Sequence, residues 1–145
     1  MKRVLILLFL CLFVFSSCSE AGDPTASLGE FVSAYGAEGI IYSTDVEEGQ
    51  EGYISPEIER TIFGTTDMPP SYAIFLNTHL DYASECGAFL VRGDRSEIIS
   101  LCKRRISLLD PVGDHSFIAI YGDIVFYSTM SDAQRARRIA DVVFR

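Results

Sequence analysis

Basic residues are scarce in this chain. Lys and Arg number 12 against 20 Asp and Glu over 145 residues, a formal charge of −8. Affinity for nucleic acid rests largely on cations that neutralise phosphates, so this balance speaks against a nucleic-acid partner. Tryptophan is absent and there are only two histidines, His79 and His115. Hydrolytic zinc usually needs three protein ligands, and no HExxH, CxxC or His-x-His spacing occurs. A Gly-x-Ser-x-Gly elbow and a phosphate loop are also missing. No apolar run reaches the roughly twenty residues needed to span a hydrocarbon core. At 48% hydrophobic and 22% charged, the chain is nevertheless too apolar to be disordered, and its length suits one domain of ordinary size.

Part of that apolarity sits at the N-terminus, where Lys2 and Arg3 precede an unbroken run from Val4 to Phe15 followed by Ser16, Ser17 and Cys18. A basic segment, a short apolar segment and a small-residue region make the layout of a secretory signal. Phe15-Ser16-Ser17-Cys18 resembles the bacterial lipobox, with Phe15 where Leu is usual. In a lipobox the thiol receives diacylglycerol, the chain is cut before it, and the new N-terminus is acylated. The alternative is an ordinary signal peptide with a chance cysteine. The lipobox reading divides the chain into a signal peptide (1–17), a lipidated Cys18 with a short tether (18–24) and a single domain (25–145). Two or more acyl chains anchor stably, so the domain is expected on the outer, extracytoplasmic face of the cell membrane without spanning it.

Cys11 lies in the discarded segment and Cys18 carries lipid, which leaves Cys86 and Cys102. Export permits a disulfide between them. Cys102, however, falls on the apolar stripe of a predicted helix, where a free thiol behaves as a small hydrophobe. Both readings are open at this point.

Leu28, Phe31, Val32 and Tyr35 recur at helical spacing, with Gly36 placed to stop the helix. Ile40-Ile41-Tyr42 is a possible short strand, followed by the acidic loop of Asp45, Glu47, Glu48 and Glu51. That loop lacks the ligand spacing of an EF-hand and reads as a solvated loop. Ser55-Pro56 opens a second helix, a hydroxyl cap followed by proline where its missing N–H is not needed, and Gly64 closes it. Tyr72 to Leu76 and Cys86 to Val91 read as strands apolar on both parities. Asp94-x-x-Glu97 spells a capping box for the best-marked helix, with Ile98, Leu101, Cys102, Ile106 and Leu109 as its stripe, ending before Asp110-Pro111. Phe117–Tyr121 and Ile124–Tyr127 form a hairpin around Gly122-Asp123, which suits a type II′ turn. Ser131 to Gln134 spells a second capping box, opening a last helix with Ala136, Ile139, Ala140 and Val143 inward.

Two ββα units after two short N-terminal helices most simply give an α+β domain. The expected sheet has four largely antiparallel strands, with both helices of the units on one face. Because the strands are apolar on both parities, the other face is either covered by the N-terminal helices or a partner surface.

The lipobox at Cys18 is followed by a helix-loop-helix before Tyr72-Ala73-Ile74-Phe75. Glu85-Cys86-Gly87-Ala88-Phe89-Leu90 then leads into the Asp94 helix, and late strands precede a terminal helix. In these features, roughly from Leu28 to Phe144, the chain resembles an uncharacterised family of small lipoproteins from low-GC Gram-positive bacteria, the domain of unknown function four-three-five-eight. Usual members have a longer charged helix and a single late strand, so this chain looks like a divergent member. The resemblance implies a cell-surface lipoprotein and supplies no activity, cofactor or site residues.

Other constellations read more simply as structure. Asp110, Asp114 and His115 are potential metal donors but equally a polar loop around Pro111 and Gly113. Arg92-Gly93-Asp94 is the integrin-read tripeptide, yet here it closes a strand, turns and caps a helix. Lys103-Arg104-Arg105 and Arg135, Arg137, Arg138 are expected to be solvated helix faces of an acidic protein, although anionic wall polymers or lipid heads would also suit them. The resulting expectation is a non-enzymatic, lipid-anchored interaction or accessory module with a protein or cell-wall partner. It assigns no catalytic residues, cofactor or metal, and Cys18 as the modified residue. The rival expectation is a small ligand binder or enzyme using the loops near His79 and His115.

Overall fold

The structure is a computed structural model that describes residues 22–78 and 84–145. Helix α1 (Pro24–Tyr35) starts one residue before the expected domain boundary at 25, because Asp23 caps it. The Asp23 carboxylate accepts from the amides of Thr25 (2.9 Å) and Ala26 (3.2 Å), and Pro24 at the first helical position is buried. The fold therefore begins inside the stretch expected to be tether. Strand β1 (Gly39–Ser43) follows, then α2 (Pro56–Phe63), whose Ser55 hydroxyl accepts from the Ile58 amide as the Ser-Pro signal implies. Both helices stop at a left-handed glycine, Gly36 and Gly64.

Strands β2 (Tyr72–Asn77) and β3 (Glu85–Leu90), helix α3 (Ser96–Leu109), strands β4 (Phe117–Tyr121) and β5 (Ile124–Ser128) and helix α4 (Ala133–Val143) complete the chain. The Asp94 capping box does not form. Helix α3 starts at Ser96 with Arg95 at the cap position and no side-chain cap, while Asp94 turns locally to accept from the Ser96 amide and hydroxyl. At α4 the cap is Asp132 rather than Ser131, accepting from the Arg135 amide at 2.8 Å. The hairpin turn is as expected: Gly122 has φ 56 and, among the described residues, no non-glycine residue, Asp123 included, has positive φ, the combination a type II′ turn needs.

The sheet differs from expectation in two ways. It has five strands, in the order β1-β2-β3-β5-β4, with every neighbouring pair antiparallel. The short β1 segment pairs along its whole length with β2, from Gly39 opposite Asn77 to Ser43 opposite Ala73. The helices are also not gathered on one face. Residues alternate along the strands, so Phe75, Cys86, Ala88 and Phe126 face α1 and α4, packing on Leu28, Phe31, Ala136 and Ala140. Tyr72, Ile74, Phe89, Val125 and Tyr127 face the other way, toward Phe63 of α2 and Ile98, Leu101 and Cys102 of α3. Each face is thus covered by one early and one late helix, which makes an α+β domain of three layers. The apolarity of both strand parities is explained by this burial, with β4 at the edge remaining half-exposed.

Close approach decides one residue on the α2–α3 side. A Cβ on Gly87 would lie 2.5 Å from Tyr127 Cε1 and 3.1 Å from Ile74 Cγ2, so the glycine lets the Tyr127 ring cross β3. The two cores are rich in aromatics: Phe31 meets Phe126 edge-on at 5.0 Å, and Tyr72 stacks on Phe89 at 5.5 Å.

Candidate functional site

Cys18, the expected lipidation residue, and His79 lie outside the described residues. His115 is exposed in the α3–β4 connection. Its backbone N–H donates to Asp110 Oδ2 at 2.9 Å, and the Gly113 N–H donates to Oδ1 at 3.0 Å. These backbone bonds, that from His115 foremost, hold the Asp110 carboxyl below its usual range. Both of its oxygens therefore organise the loop. Among the described residues no group of three or more His, Cys, Asp or Glu side chains is arranged to hold a metal ion. The acidic residues after β1 are exposed, and Asp45 accepts from the Thr25 hydroxyl at 2.6 Å, tying the loop to α1.

Cys86 and Cys102 are free and buried, and the alternation of β3 puts Cys86 in the α1–α4 core and Cys102 in the opposite one. The sheet between them removes the disulfide alternative. Burial raises the Cys86 thiol well above its ordinary value and pushes Cys102 up to about 12. The reactive form of cysteine is the thiolate, so neither is an activated nucleophile.

A polar cluster that the sequence does not announce is built around Glu85 at the start of β3. Its carboxylate is buried and takes a two-point bond from Arg105 of α3, Nε to Oε1 at 2.9 Å and Nη2 to Oε2 at 2.6 Å. The Tyr127 hydroxyl donates to Oε1 from the neighbouring strand β5. Arg105 also reaches the Ile62 carbonyl in the last turn of α2 at 3.4 Å. Burial alone would lower the Arg105 pKa, but the Glu85 bond and charge outweigh it and raise it. Tyr127 is raised well above its usual value by burial and by the Glu85 charge. Arg105 thus belongs to the interior, with only 17% of its side chain exposed, and not to the solvated face expected of Lys103-Arg104-Arg105. With its carboxylate fully engaged and its tyrosine held protonated, the cluster is a clasp joining α2, α3, β3 and β5 rather than acid–base machinery. One signal for it existed: Arg105 falls three and four residues after Cys102 and Leu101, on the apolar stripe.

A depression on the surface is of another kind. A groove of about 1070 Å³ lies at the hairpin end of the sheet, between the start of α1, the β4–β5 turn and the last turns of α4. Its lining includes Gly22, Arg92, Tyr121, Asp123, Arg137 and Asp141. Tyr121 donates to Asp141 Oδ1 at 2.8 Å, and partial burial followed by this bond pushes its hydroxyl up to about 12. No protein-family model, curated protein or solved structure matches the chain.

Proposed function

We propose that the protein is a lipid-anchored lipoprotein of the outer face of the cell membrane, serving as a non-enzymatic interaction or accessory module. Kinship with the lipoprotein family it resembles is part of the same proposal. The observation that carries it is the Val4–Phe15 apolar run ending in Ser16-Ser17-Cys18. Two features of the folded chain support the reading. No helix among the described residues is long and apolar enough to cross a membrane, so attachment of this domain would fall to the lipid. The two thiols among the described residues, Cys86 and Cys102, are buried.

The test is metabolic labelling of the expressing bacterium with an alkyne fatty acid, followed by mass spectrometry of the mature N-terminal peptide. An N-terminal Cys18 bearing diacylglycerol, with label and membrane fractionation lost in Cys18→Ser, is the expected result. A mature protein without acyl mass, cut elsewhere or released into the medium, would overturn the anchor.

A further inference from the structure

The two edges of the sheet are treated differently. Along β1 the following loop runs close: Ser43 bridges Tyr53, the Ser43 amide donates to the Gly52 carbonyl at 2.9 Å, and a Cβ on Gly52 would lie 2.5 Å from the Ile41 carbonyl oxygen. Among the described residues nothing pairs with the outer side of β4. The two-residue turn makes Tyr121 and Ile124 a hydrogen-bonded pair, so by alternation Ala119 and Phe117 also bond β5, and the N–H and C=O groups of Ile118 and Ile120 point outward. Edge strands are ordinarily protected by charge, proline or a bulge, yet β4 is Phe-Ile-Ala-Ile-Tyr and its register with β5 is unbroken. Its Ile120 side chain, on the α3 side, is 49% exposed.

What fits this edge is indicated by the strand and by the helix over it. The strand reads alike from either end, an aromatic, an isoleucine, Ala119, an isoleucine and an aromatic. Helix α4 turns Ala136 and Ala140 inward and sets Ile139 and Val143 beside Ala34 of α1. On its other flank, one turn apart, stand Arg137 and Asp141. The Arg137 guanidinium lies over the Phe117 ring, 4.3 Å from its centroid, and Asp141 accepts from the Tyr121 hydroxyl at 2.8 Å. A cation and a carboxylate are thus held on either side of Ala119, one by each aromatic. Arg137 has no carboxylate partner among the described residues, and the Arg145 that faces Asp141 at 3.6 Å is 72% exposed.

We propose that a second copy of this chain pairs here, β4 against β4, antiparallel about a two-fold axis through Ala119, so that two sheets become one. Ile118 then exchanges both of its backbone bonds with Ile120 of the second copy, and the axis repeats the pair. On the α3 side the same residues place isoleucine against isoleucine. On the α4 side Phe117 stands opposite Tyr121 of the second copy, which sets Arg137 toward the carboxylate that this tyrosine holds. The helices leave room for it. Helix α4 covers Phe126 of β5 and Phe117 of β4, so two copies of it stand two to three strand spacings apart, about 10–14 Å, against about 10–12 Å for a helix with its side chains. An unrelated strand would satisfy the backbone of the edge but not these reciprocal charges. The pairing does not depend on the lipid anchor.

The test is sedimentation velocity of the exported protein carrying Cys18→Ser, from about 1 μM to 1 mM, with a monomer–dimer equilibrium as the expected result. Ile120→Lys, a charge on the open edge, should weaken it about tenfold or more. Arg137→Glu and Asp141→Arg should each weaken it as well, and an equimolar mixture of the two should restore it, because every acid in the mixed dimer then faces an arginine. Arg138→Glu, on the α1 flank of α4, should leave it unchanged. Urea midpoints of the dilute variants separate loss of pairing from loss of fold. The register is read by Ala119→Cys: across the axis the Cα atoms are about 4.5 Å apart and a disulfide forms under mild oxidation, whereas Ile120→Cys, about 7–8 Å from its own copy, forms none. The proposal is overturned by a monomer at every concentration, by association that Ile120→Lys leaves intact, by equal weakening in Arg138→Glu, by no recovery in the mixture, or by equal cross-linking at Ala119 and Ile120.

Discussion

Replacing Arg105 by Met tests the physical account of the interior most directly. Methionine keeps an unbranched apolar stem along α3, so packing is largely preserved, while the charge facing Glu85 is removed. The Glu85 side chain is 4% exposed and its two oxygens receive Arg105 at 2.9 and 2.6 Å, so water cannot replace the lost partner without opening the layer between β3 and α3. Breaking such a pair from one side costs about 3–5 kcal/mol, against about 0–1 kcal/mol for an exposed pair. For a domain of this size that loss corresponds to a fall of roughly 12–20 °C in Tm. The assay is urea and thermal unfolding of the exported Cys18→Ser protein by circular dichroism, with Glu85→Gln and the Glu85→Gln/Arg105→Met double variant completing a cycle. Glutamine still accepts from Tyr127 but carries no charge, so Arg105→Met is expected to cost about 2 kcal/mol less in that background. A loss below about 1 kcal/mol for Arg105→Met, or the same loss in both backgrounds, would refute the claim that an uncompensated buried carboxylate dominates.

Three further outcomes follow from the same structure. Gly87→Ala is expected to destabilise by about 1–3 kcal/mol, because the new methyl meets a Tyr127 ring that Glu85 holds in place; an unchanged urea midpoint would show that the ring moves aside freely. Cys86 and Cys102 should both resist Ellman's reagent in the native protein and both react in urea, and intact mass should show no disulfide; fast native reaction at either would contradict the burial that raises their pKa values. Tyr121 binds its proton more tightly folded, at about 12, than unfolded, at its ordinary 10.0. The stability it contributes is therefore fully present below pH 10 and lost as pH rises toward 12, and Tyr121→Phe should flatten that part of the profile; an identical alkaline limb in the variant would sink the assignment.

Local signals in this chain are read by local structure, and most of them appear where expected. Ser55-Pro56 and Gly64 bound α2, Gly122-Asp123 turns the last hairpin, and Asp110 ends α3. Cap positions shift by a residue where two candidates stand side by side, as with Ser131 and Asp132, because the choice depends on which carboxylate or hydroxyl reaches the third amide along. Strand order is a different kind of property. Every residue of β5 is buried while β4 is largely half-exposed, so burial favours β5 inside and β4 at the edge. Once β5 sits between β3 and β4, those two strands run parallel, and α3 must cross one face of the sheet over β5 to reach the start of β4. That face is then taken, and α4 leaving β5 packs on the other beside α1. The same crossing delivers Arg105 to Glu85, 20 residues earlier in the chain. The clasp is therefore a consequence of strand order: a sequence that shows each element separately shows a basic run on a helix and an acidic residue before a strand, and only the crossover makes them one interaction.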